Sequence, residues 1–110
     1  MRTIENIKKL IISSLLFISL SPPLFAEIRT FGVVDCGQWL NDKTPSRKTW
    51  VLGYLTGVNA MHNATTNKNP LGQINSADQI YVWIDNYCQK NPLKSVDDAA
   101  ANLFFELLKK

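Results

Sequence analysis

From Val96 onward, apolar residues recur with helical spacing. Val96, Ala99, Ala100, Leu103, Phe104, Leu107 and Leu108 fall at i, i+3, i+4, i+7, i+8, i+11 and i+12. Together they make one continuous apolar face, which predicts an amphipathic helix. Ser95 is placed to cap it. Asp97 and Asp98 put negative charge in its first turn, and Lys109 and Lys110 put positive charge at its end, as the helix dipole favours. A second periodic stretch, Ile80, Trp83, Ile84, Tyr87 and Cys88, predicts a helix over 77–90. Ser76 and Gln79 match a capping box at its start, and Asn91-Pro92 ends it, because the residue before proline avoids the helical region.

A longer helix is predicted over 46–63. Trp50, Gly53, Tyr54, Gly57, Val58 and Met61 share one of its faces, and Val51, Leu52 and Leu55 widen the apolar surface. Each of the two glycines costs up to about 1 kcal/mol relative to alanine in a helix. Close approach of another backbone explains their presence, and tight packing inside the domain is the expectation. Asp35 to Leu40 reads as a short helical turn carrying Cys36 and Trp39, and Ala64 to Asn75 as a polar loop. Over 27–34 the alternation of Ile28, Phe31 and Val33 is too weak to predict a strand. The fold class is therefore all-α: a small bundle of three longer helices plus a short N-terminal helical turn.

The N-terminal pattern is of another kind. Arg2, Lys8 and Lys9 precede an apolar run from Leu10 to Leu20, and Pro22, Pro23 and Leu24-Phe25-Ala26 follow it. A positive n-region, a short h-region and a c-region make a cleavable signal peptide over 1–26, leaving a single helical domain over 27–110. The apolar run is about half the length needed to span a bilayer. Export makes the compartment periplasmic or extracellular. In that setting two cysteines, Cys36 and Cys88, read as one disulfide. A staple closing a loop of this length contributes about 4 kcal/mol on the chain-entropy model.

Loss of the leader removes Arg2, Lys8, Lys9 and Glu5, so the formal net charge falls from +3 to +1. The basic character belongs largely to the leader, which takes away the argument for nucleic acid or an anionic membrane as partner. One local excess, Lys43, Arg47 and Lys48 around Pro45, remains.

No catalytic or metal constellation is legible. His62 is the single histidine, and the cysteines pair with each other, so zinc or histidine-based catalysis lacks partners. Asp78 and Asp85 are explained by helix capping and solubility, and neither a nucleophile elbow nor a glycine-rich phosphate loop occurs. An enzyme is not expected, and no cofactor is assigned. Most of Trp39, Trp50, Tyr54, Trp83 and Tyr87 are expected in the core.

Cys36-Gly37-Gln38-Trp39, the segment Trp50 to Gly57, the segment Trp83 to Pro92 and the final amphipathic helix resemble a group of small exported bacterial proteins. In outline the chain also resembles the Rap/Tai immunity proteins, which neutralise type VI secretion effectors in the periplasm, and the HdeA-like acid-stress chaperones. The first resemblance implies a non-catalytic module that binds a toxin, in which a homodimer is one form. The second implies a chaperone with many clients. At low pH its carboxylates would neutralise, leaving a charge of about +10 that loosens the domain. The residues taken as the candidate partner-binding surface are Lys43, Arg47 and Lys48 with Asn67, Lys68 and Asn69.

Overall fold

The computed structural model describes residues 29–110. The predicted leader, 1–26, and its predicted cleavage site lie outside the described residues. Helix α1 (Cys36–Asn41) is set by Asp35: its carboxylate accepts from the Gln38 backbone at 2.7 Å, and the Gln38 side chain accepts from the Asp35 backbone at 3.1 Å. Helix α2 (Pro45–Thr66) starts with proline at its first position and Thr44 as cap, the hydroxyl accepting from the Arg47 N–H at 3.3 Å. It runs three residues past its predicted end, taking Ala64–Thr66 from the predicted loop. It stops at Asn67, whose φ of 58° lies in the left-handed region that asparagine tolerates better than most residues.

The rest of that loop holds a 3-10 turn, Pro70–Gln73. Helix α3 (Ala77–Lys90) has the predicted bounds. Its cap differs from the predicted box, because Ser76 makes no side-chain cap bond, and Gln79 Oε1 accepts from the Asn75 N–H instead, at 2.8 Å. Helix α4 (Val96–Leu108) begins at Ser95 as expected, with the Asp98 carboxylate accepting from the Ser95 backbone N–H at 3.3 Å and from its hydroxyl at 2.9 Å.

The protein is all-α, a small helical bundle with one disulfide, and no strand occurs among the described residues. Helix α4 packs against both α2 and α3, and α1 packs on α3. The predicted face of α4 is buried throughout except at Leu108, which is 41 % exposed. Ile80, Ile84 and Cys88 of α3 join it, with Val51 and Leu55 of α2 and Trp39 of α1. Burial of each large side chain is worth about 1.5–3 kcal/mol. Cys36 and Cys88 are bonded, their Cα atoms 4.9 Å apart, so the staple ties α1 to the last turn of α3. Beside it the chain before α1 lies antiparallel to the entry of α4. Cys36 N–H donates to Lys94 O at 2.9 Å and Val96 N–H to Val34 O at 3.0 Å. This isolated bridge is the extent of β pairing among the described residues. No helix among the described residues is long and apolar enough to cross a membrane.

One expectation fails. On the glycine-bearing face of α2, Trp50, Tyr54 and Val58 are half-buried against the core, whereas Gly53, Gly57 and Met61 lie exposed. Among the described residues, a Cβ added at Gly53 or Gly57 would meet nothing within 4 Å, and Met61 is 69 % exposed. The fully buried positions of α2 are on the neighbouring arc, Val51 and Leu55, with half-buried His62 further along it.

Candidate functional site

The predicted basic cluster turns inward. Lys43 Nζ lies 3.4 Å from Asp85 Oδ1, the same oxygen that accepts from the indole of fully buried Trp39 at 2.7 Å. Arg47 Nη1 donates to the backbone carbonyls of Gln38, at 3.0 Å, and Asp42, closing the end of α1. Lys48 Nζ sits 5.2 Å above the Tyr81 ring, a cation–π contact. Lys43 and Lys48 hold the α1–α2 corner onto α3, while Arg47 ties α2 to the end of α1. Asp85 is engaged structurally, which accounts for one of the two carboxylates that the sequence placed on this helix.

Asn67, Lys68 and Asn69 lie exposed at the opposite end of α2. A 22-residue helix is about 33 Å long, so the two halves of the predicted surface are not brought together. Here side chains shape the loop: Asn59 Nδ2 donates to Asn69 Oδ1 at 2.8 Å, and Asn63 Nδ2 to Lys68 O at 3.1 Å. Half-buried His62 meets Phe104 edge-on, with ring centres 5.6 Å apart, beside a cleft of about 410 Å3 that Lys68 and Asn69 also line. Its Nε2 is enclosed, with no hydrogen-bond partner among the described residues.

Between these ends runs the open face of α2. Trp50 and Tyr54 stack at 5.3 Å, 19° from parallel, and the Trp50 indole donates to Phe31 O at 2.6 Å. That bond draws the segment before α1 over the helix and displays Phe31, 79 % exposed. Arg29, Phe31, Trp50, Gly53 and Tyr54 enclose a cleft of about 460 Å3. Burial, then the charges of Asp97 and Asp98, raise the Tyr54 pKa above 10.0, so the phenol stays neutral and able to donate. Gly57 and Met61 continue the strip toward Asn67.

This surface offers aromatic contact, a polarizable thioether and a bare stretch of helical backbone. The sequence grouped these residues on one face, but it gave no sign that Gly53, Gly57 and Met61 point outward. Among the described residues no group of three His, Cys, Asp or Glu is placed to hold a metal ion.

A second surface feature borders α3. Ile74, Trp83, Leu103 and Leu107 line a cleft of about 600 Å3 between α3 and α4, and Trp83 stacks on Tyr87 at 5.8 Å. No family model matches this chain, and no curated protein or solved structure matches it.

Proposed function

We propose that the protein is an exported, non-catalytic protein-binding module of the Rap/Tai immunity kind, which neutralises a toxin by docking it on the open face of α2. The observation that carries this reading is the strip Trp50, Gly53, Tyr54, Gly57 and Met61, apolar and aromatic, with no atom of the described residues within 4 Å of a Cβ at either glycine. Aromatic residues and methionine are the types enriched at protein interfaces. Glycines without a neighbour in their own domain leave room for a partner's backbone at close range. Asn67, Lys68 and Asn69 extend the strip at one end as a polar rim. The Lys43, Arg47 and Lys48 corner contributes by holding the bundle rigid, and a preformed surface loses less entropy on binding. The disulfide and the leader pattern support an oxidising, exported location.

The test is capture by the tagged, oxidised protein from periplasmic and secreted extract at pH 7 and at pH 2–3, read by mass spectrometry. One stoichiometric partner at neutral pH supports the immunity-type module. Many partners at acid pH alone would replace it with the HdeA-like chaperone reading. No partner at either pH would remove both.

A further inference from the structure

The cleft of about 600 Å3 between α3 and α4 is of a size suited to a small ligand. Its apolar floor includes Trp83, which is half-buried and stacks on Tyr87 with the two planes 15° from parallel. Tyr87 therefore covers one side of the indole, while this cleft, which Tyr87 does not line, lies against the remainder. A smaller cleft of about 280 Å3 holds Tyr87 and Lys90 and joins the larger at Trp83 and Asn86. The two make one groove along one side of α3.

The rim of the groove is polar, and two of its amides are fixed. Gln73 Nε2 donates to Leu107 O at 2.8 Å, and Gln79 Oε1 accepts from the Asn75 N–H at 2.8 Å. Each amide is held at one end, and its other end, Gln73 Oε1 or Gln79 Nε2, is unbonded among the described residues. The exposed side chains of Asp78 and Asn86 and the Trp83 indole N–H are likewise unbonded among the described residues. The charges do not select an ion. Glu106 is matched by Lys109 at 3.2 Å, which leaves Asp78 and Lys110 on the larger cleft, of opposite sign. Neighbouring hydroxyls suit such a rim, because a planar amide offers them a donor and an acceptor side by side. A pyranose ring with equatorial hydroxyls also has a flat face of C–H bonds, which suits the negative face of an indole.

We infer that this groove is a binding site for a neutral oligosaccharide of flat pyranose units. One sugar ring lies on Trp83, and its hydroxyls bond to Gln73, Gln79 and Asn86. Asp78 and Lys90, at the two ends of the groove, are about 18 Å apart along the helix, so a short run of linked sugars fits better than one. The groove shares no residue with the α2 strip, so the inference does not depend on the docking role of α2.

Titration of the oxidised, isotope-labelled protein with cellotriose, followed by NMR, tests it. Saturable shifts are expected at the Trp83 indole N–H and at the side-chain amides of Gln79 and Asn86, with a Kd of about 0.1–1 mM. Trp83→Leu keeps an apolar side chain but removes the stacking face, and Asn86→Ala removes an exposed amide. Each should weaken binding at least about fivefold. Circular dichroism checks that both variants stay helical, and Asn86→Ala carries the test alone if Trp83→Leu does not fold. No saturable response up to about 10 mM overturns the inference. So do shifts that avoid the groove, or an affinity unmoved by Asn86→Ala. A groove that ignores cellotriose and takes hexaproline instead is a peptide site, and that result overturns it too.

Discussion

Asp85 joins three elements through one oxygen: it sits on α3, accepts from Trp39 of α1, and faces Lys43 ahead of α2. Asp85→Ala would leave the buried indole N–H without a partner, which costs about 1–3 kcal/mol. Urea unfolding should show that loss as a lower midpoint with an unchanged slope. Asp85→Asn keeps an acceptor oxygen and gives up only the ion pair, so less than about 1 kcal/mol is expected. A result in which both variants cost the same would show that the charge, not the hydrogen bond, matters. Tyr54 and Tyr87 set the alkaline behaviour. Both phenols are raised above 10.0, Tyr54 by burial and then Asp97 and Asp98, Tyr87 by burial and then Asp98. Below pH 10.0 both folded and unfolded states hold these protons, so stability has no slope from them. Above it the unfolded chain releases them first, and stability falls as pH rises toward the folded values. Tyr54→Phe should flatten that decline in denaturation midpoints measured between pH 9 and 11. None of this was legible in the sequence: Trp39 and Asp85 are 46 positions apart, and no periodicity links them.

Helices α3 and α4 were readable because their apolar residues form single stripes that coincide with the buried faces. Helix α2 was readable as a helix but not in its orientation. Val51, Leu52 and Leu55 compete with Trp50, Tyr54 and Met61 for the core, so the chain carries two adjoining apolar arcs. Tertiary packing buries Val51 and Leu55 fully, leaves Trp50 and Tyr54 half-buried and Met61 exposed. The glycines then lie on the arc left outside. Gly53→Ala and Gly57→Ala should therefore each stabilise the protein, by up to about 1 kcal/mol, since the added methyl meets no atom of the described residues within 4 Å and helix propensity improves. Thermal melts check this, and a fall in midpoint would mean that the face is packed after all. The helix extension through Thr66 was missed for another reason. Threonine and asparagine read as loop, yet Thr66 Oγ1 donates to His62 O at 2.7 Å and Asn67 supplies the left-handed stop.

At the scale of the molecule, the Cys36–Cys88 bond closes a loop with a sequence separation of 52, and it was the long-range contact the sequence could name. Replacing both cysteines with alanine should cost about 2–5 kcal/mol, measured by denaturant titration of the two forms without reductant. The docking face proposed above was not legible in the sequence. Lys43, Arg47 and Lys48 are engaged within the fold, Lys68 stays exposed, and the glycines of α2 had been assigned to the interior. The bundle is thus stapled and corner-locked on one side, while α2 presents aromatic rings and bare backbone on another. The most direct test is affinity capture of the neutral-pH partner by the double variant Gly53→Ala/Gly57→Ala, beside the natural protein at equal loading. The account predicts a variant that is more stable yet retains less of the partner, because the methyl groups occupy the space a docking backbone needs. A variant that is more stable and captures the partner undiminished would contradict docking on this face.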